Sequence, residues 1–152
     1  MVNAQRKRSW RILWSVLACL AWLLSAALSS ANPSLPDLTD LLAQLDQNPI
    51  GPGEELRITK LVESPEMSGL LVQVRGSLAP HYHKQTQEVV YLLRGEGLFQ
   101  LGAERVPIKT GAVMRIPPGQ VHTFTNQGPD PAVFFVVTTP RWVEQDRFMV
   151  KD

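Results

Sequence analysis

Three histidines and one glutamate are the side chains in this sequence whose types and spacing suit joint chemistry. His81 and His83 stand one residue apart in the stretch HYHKQTQE, which ends at Glu88, and the remaining histidine, His122, lies in PPGQVHTFTN. On an extended strand successive side chains alternate faces, so His81 and His83 point the same way and can close on one ion. Glu88 follows His83 at an odd offset, which puts it on the opposite face of an uninterrupted strand. A turn or bulge within KQTQ is needed to restore it. From Glu88 onward Val90 and Leu92 share its face, an apolar wall with a carboxylate at its mouth. Three neutral imidazoles with one carboxylate suit Fe, Mn, Ni, Cu or Zn as a single divalent transition metal, and disfavour Ca or Mg.

For His122 to join the first pair, the chain must return. GAVMRIPPGQVH reads as a strand, a tight reversal at Pro117-Pro118-Gly119 and a new strand. His122, Phe124 and Asn126 then share one face of the returning strand, and two hairpins facing each other across a sandwich bring the four ligands together. Val90, Leu92, Phe124 and Asn126 are the expected pocket residues, with Ile116 or Phe135 nearby. Gln87, Gln100, Tyr91, Arg115 and Asn126 are the candidate polar partners for a ligand.

The elements that must position these residues are short. Past Gly53 the sequence runs through LRITKLVE, GLLVQVRG, EVVYLLRG, GLFQLGAE, AVMRIPP, HTFTNQG and AVFFVVTT, β-branched and aromatic runs separated by Gly, Pro and Asn. That texture predicts an all-β sandwich or barrel over residues 54–140. Before it, residues 32–53 read as a linker and a short amphipathic helix, with Leu38, Leu41, Leu42 and Leu45 at helical spacing and a stop at Asn48-Pro49. The tail, residues 141–152, carries Trp142 and Phe148 beside several charges and is expected to pack over the barrel.

The first 31 residues differ in character. A basic QRKRSWR precedes the apolar ILWSVLACLAWLLSAAL, and Ser29 and Ala31 suit a small-residue cleavage rule, so the segment reads as an export signal. The alternative is an uncleaved membrane anchor over Ile12–Leu28. Cleavage removes Arg6, Lys7, Arg8 and Arg11 and no acid, taking 15 bases to 11 against 14 acids, a net charge of minus three. A nucleic-acid partner, which calls for a basic patch, is disfavoured. Cys19 leaves as well, so the mature chain has neither a disulfide nor a thiolate ligand, and a bacterial periplasm is the expected location.

These stretches resemble the two motifs of the cupin superfamily, small β-barrels of jelly-roll type. The first motif, G(x)5HxH(x)3,4E(x)6G, is met by His81, His83, Glu88 and Gly95, and the second, G(x)5PxG(x)2H(x)3N, by Gly111, Pro117, Gly119, His122 and Asn126. One departure is the leading glycine, which stands at Gly76 where the pattern places it at Arg75. The resemblance implies a metal held by His81, His83, Glu88 and His122 inside a barrel, with one or two positions left for water or substrate. It also implies a choice between two classes of function. One is a metal-dependent oxygenase, isomerase or decarboxylase acting on a small, partly apolar molecule; the other is a non-catalytic module that binds a metal or small ligand. Homodimers through sheet edges are a further expectation, with Phe134–Thr139 either such an edge or fully buried.

Overall fold

A computed structural model describes residues 39–150, all within one compact unit. The expected export signal, the start of the linker, Leu38 and the last two residues lie outside the described residues.

Two five-stranded antiparallel sheets face each other. The first contains β1 (Leu56–Glu63), β2 (Ser68–Val74), β4 (Gln87–Arg94), β7 (Val113–Ile116) and β9 (Ala132–Thr139), in the order β1-β2-β9-β4-β7. The second contains β3 (His81–His83), β5 (Glu96–Leu101), β6 (Glu104–Lys109), β8 (His122–Asn126) and β10 (Arg147–Met149), in the order β10-β3-β8-β5-β6. This is the all-β barrel expected from the sequence.

The alternation that places side chains inside is plainest in β4. Glu88, Val90 and Leu92 are buried while Val89 and Tyr91 face out. Leu70, Val72 and Val74 of β2, Phe99 of β5, Phe124 of β8, and Phe134 and Val136 of β9 complete the inner faces. Phe124 and Phe134 meet edge to face across the barrel, with centroids 4.9 Å apart at 85°, a geometry favoured by the ring quadrupoles.

β2 is buried on both faces, and the reason is the segment before it. α1 (Leu41–Gln47) starts at Asp40, whose carboxylate caps the free N–H groups of Leu42 and Ala43. Leu41 and Leu45 lie by Leu71, Leu93 and Val133 on the outer face of the first sheet, while Leu42 is 61% exposed. The helical stripe therefore docks through Leu41 and Leu45. The buried Gln73 amide secures the following turn, donating to the Asn48 carbonyl and accepting from Ile50 N–H.

Two sequence expectations change here, and one alternative left open is decided. β9, which carries Phe134–Thr139, pairs with β2 on one side and β4 on the other; it is interior and offers no free edge. The C-terminal tail does more than cover the barrel, because β10 hydrogen-bonds to β3 as an added strand. Pro117-Pro118-Gly119 does not close a hairpin, since β7 belongs to the first sheet and β8 to the second.

Candidate metal centre

Two crossings between the sheets build the site. At Lys84–Thr86 the chain leaves the second sheet for the first, and at Pro117–Val121 it passes the other way. The KQTQ stretch restores the face of Glu88 by changing sheets, not by a bulge within one strand. The crossings are tied together, for Gly119 N–H donates to the His83 carbonyl at 2.6 Å. Gly119 has φ of 78°, a left-handed backbone that glycine adopts without strain. β3 and β8 then lie side by side with His81 directly opposite His122. The three histidines thus come from one sheet and Glu88 alone reaches across from the other, a different arrangement from the facing hairpins that spacing suggests.

All four side chains are buried, His81 at 5%, His83 at 3%, His122 at 4% and Glu88 at 8% exposure. Nitrogen atoms of the three imidazoles converge to within 4.8 Å of one another. Each ring is oriented from behind by a backbone carbonyl: His81 Nδ1 bonds Ala79 O at 2.9 Å, His83 Nδ1 bonds Asp146 O at 3.1 Å, and His122 Nδ1 bonds Gln120 O at 3.0 Å. A carbonyl only accepts, so Nδ1 carries the proton in all three rings, and in neutral imidazole each Nε2 is left with a bare lone pair.

Those lone pairs are positioned to receive a cation. Glu88 Oε1 lies 3.5 Å from His83 Nε2, and Oε2 lies 3.4 Å from His122 Nε2. Between two acceptors such contacts repel unless a proton or a metal ion sits between them. A proton is disfavoured at two of the rings. Burial pushes the His81 imidazole down to about 4, with the neighbouring His122 adding to the effect. His83 is lowered as well, by burial first and by His122, against the opposing pull of Glu88. For Glu88 itself burial favours the acid, while the contact with His122 and the fields of His83, His122 and His81 act against it, so positive charge among these rings holds the carboxyl below its ordinary value. A carboxylate beside three imidazoles whose Nδ1 atoms are committed to carbonyls is the donor set of a divalent transition metal, and the back-bonding carbonyls are the outer partners such ligands require.

An internal cavity of about 70 Å³ opens beside these atoms. Val90, Phe124 and Ile116 line it, as expected. Leu92 does not; it is fully buried in the adjoining core. Asn126 is also absent from the wall, because its amide spans a turn, donating to Arg75 O and Asp130 O and accepting from Gly128 N–H. Phe135, Gln87, Gln100, Tyr91 and Arg115 lie outside it too. Gln87 and Arg115 bond each other on the outer surface, and Gln100 bonds Gly102 O and Arg105.

Two tail residues went unseen in the sequence. Asp146, at the end of the 3-10 turn Glu144–Asp146, accepts from the N–H groups of Lys84, Gln85 and Thr86 and from the Thr86 hydroxyl, and its carbonyl orients His83. Burial would raise its carboxyl, but these donors together lower it. Arg147 lines the cavity. The only signal for either was the alternation in Arg147-Phe148-Met149, too short to tell a strand from a loop.

Asp146 thus fixes both the first crossing and a ligand ring. Asp146→Ala leaves the buried Thr86 hydroxyl without its partner and is expected to cost about 1–3 kcal/mol of stability; it keeps the main-chain carbonyl on His83 but loosens the turn that carries it, so metal affinity is expected to fall, with Asp146→Asn intermediate. Chelator competition beside chemical denaturation checks this; unchanged metal affinity in Asp146→Ala would reject the positioning role.

Comparison with known proteins agrees with this geometry. Residues 70–138 match the Cupin_2 family, described as a cupin domain. An uncharacterized protein of Aquifex aeolicus is 29% identical over 117 residues, 77% of this chain and 93% of that protein. An oxalate-binding protein of Thermotoga maritima is 36% identical over 61 residues, 40% of this chain but only 50% of that protein. The crystal structure of TT1209 from Thermus thermophilus aligns with a TM-score of 0.61 at 27% identity, covering 70% of this chain and 99% of its own. Paired histidine strands in one sheet, a crossing glutamate from the other and a barrel of this strand order accord with that match: residues 70–138 form a cupin domain.

Proposed function

We propose that this protein is an exported metal-binding cupin that holds one divalent transition metal on His81, His83, Glu88 and His122 and acts on, or binds, a small and partly apolar molecule beside it. The observation that carries this reading is a shared arrangement: all three Nδ1 atoms bond backbone carbonyls, which leaves the Nε2 atoms for a common ligand where the three rings converge, beside the Glu88 carboxylate. Fe, Mn, Ni, Cu and Zn all suit this donor set. When bound, such an ion supplies Lewis acidity or a meeting point for substrate and dioxygen. The chain's own contribution is to hold the His81 and His83 imidazoles uncharged, keep the carboxylate ionised and exclude bulk water with an apolar wall that includes Val90, Ile116 and Phe124. Chemistry of the oxygenase, isomerase or decarboxylase kind fits that division of labour.

A second reading, a binding module without catalysis, is favoured by one feature. Among the described residues, Arg147 is the one ionisable side chain on the cavity wall apart from the four ligands, so no separate acid or base stands ready there to move a proton. The oxalate-binding relative is in keeping with it. Export to a bacterial periplasm and homodimerisation belong to the same proposal, and an outer strand such as β1 or β7 is the contact the fold leaves available.

Turnover decides between the two readings. The protein loaded in turn with each first-row ion is presented with small phenols, keto acids and sugars. Metal-dependent product establishes an enzyme, whereas saturable binding of these compounds without product establishes the binding module.

A further inference from the structure

The cavity contains a cation that the metal-centre reading does not use. Arg147 stands directly opposite His83 in the β10–β3 register, and directly paired residues of antiparallel strands project to the same face. The next pair, Phe148 and Tyr82, stacks on the other face, with ring centroids 5.4 Å apart at 22°. Arg147 therefore points inward beside His83, and it lines the cavity.

Its guanidinium has no hydrogen-bonded partner there. Among the described residues no side-chain hydrogen bond or ion pair within 4 Å involves Arg147, and the carboxylates of Glu88 and Glu144 act on it only through space. A half-buried guanidinium facing mostly apolar walls is costly when its donors are unmet. The strand that carries it is fixed, because β10 is held at both ends: the Asp146 carboxylate grips the first crossing, and Val150 N–H donates to Pro80 O at 2.9 Å. With a divalent ion on three neutral imidazoles and one carboxylate, the ion, Glu88 and Arg147 together leave the pocket with surplus positive charge. The planar fork of arginine matches a carboxylate with two parallel N–H···O bonds.

We propose that Arg147 anchors the carboxylate head of the small molecule that enters the barrel, whose apolar body lies against Leu56, Val72, Phe99, Phe134 and Trp142. This deepens the reading of the site as a small-molecule centre and rests on it. At about 70 Å³ the cavity admits a ligand on the order of five or six heavy atoms, counting about 10–15 Å³ for each water-sized group. The class selected is a short monocarboxylate carrying an apolar chain. Dianions without an apolar body leave the walls unsatisfied, and neutral isosteres leave Arg147 unpaired.

Butanoate and its neutral isostere butanamide are the probes, titrated calorimetrically into the zinc-loaded protein and into the same protein after chelation. Butanoate is expected to bind at least about tenfold more tightly than butanamide, as a charge-assisted pair requires. Arg147→Met and Arg147→Gln are expected to erase that preference while keeping their zinc, and Arg147→Lys to retain part of it. An undiminished preference in folded Arg147→Met or Arg147→Gln would overturn the proposal, since the carboxylate would then be held by the metal alone. Absence of saturable butanoate binding to the unaltered protein, or equal affinity for both probes, would overturn it as well. The metal-centre reading fails separately, through absence of bound zinc by elemental analysis, and the carboxylate preference is then read on the metal-free protein.

Discussion

Purified without chelator, the chain from residue 32 onward is expected to carry near-stoichiometric transition metal, and a His81→Ala, His122→Ala double variant is expected to carry none. The two rings stand directly opposite each other across β3 and β8, with centroids 4.2 Å apart. Removing both leaves His83 and Glu88 on opposite sheets, and two ligands do not hold a first-row ion against chelation and dilution. Either single variant at His83 or His122 is expected to lower occupancy sharply, at least about 10-fold in affinity, since even outer partners of such ligands are worth that much. The barrel itself survives, because the apolar cluster formed by Leu70, Val72, Leu92, Phe99, Phe124 and Phe134 contains none of the ligands. Elemental analysis together with circular dichroism checks both halves. Equal metal in the unaltered chain and the folded double variant would refute the ligand set.

Acid is expected to destabilise the metal-free protein well before its carboxylates titrate. The His81 imidazole sits at about 4 in the folded chain against 6.5 for the ordinary group, chiefly because burial disfavours its charge; His83 is displaced in the same direction. Between those values the unfolded chain binds protons that the folded chain refuses, so stability rises with pH across this window. It is fully present above about pH 6.5 and declines as pH falls toward about 4, and His81 alone accounts for on the order of 3 kcal/mol of the loss. Below that range the lowered carboxyls of Glu88 and Asp146 extend the decline with the same sign. Bound metal opposes the change, since it binds the folded, deprotonated site and adds stability by mass action. Urea denaturation of the chelated protein at a series of pH values measures the slope, and a His81→Asn variant should flatten it between about pH 6.5 and 4. A stability independent of pH in that window, or one that rises on acidification, would rule the account out.

Much of the site was legible because its logic is local. The one-residue gap between His81 and His83 fixes a shared face wherever they are extended, and β3 and its burial bear this out. Likewise Glu88, Val90 and Leu92 alternate inward along β4 as their spacing requires. Gly119 in its turn follows from backbone sterics that a sequence displays directly. What period-2 patterning does not contain is which strand lies beside which, because alternation is the same whatever the neighbour. Hence the histidines looked like members of facing hairpins when they occupy adjacent strands, and Asn126 looked like a pocket residue when it closes a turn.

The sequence by itself determined the all-β class, the inward face of each ligand strand and the identity of the four candidate ligands, because each of these depends on residue type and on contacts within a few positions. Only the tertiary structure decided that Glu88 reaches across from the opposite sheet, that β9 is interior, and that Asp146 and Arg147 belong to the site from the far end of the chain. Those placements come from long-range pairing, where the gain from closing the barrel and satisfying backbone hydrogen bonds selects partners that no local pattern distinguishes.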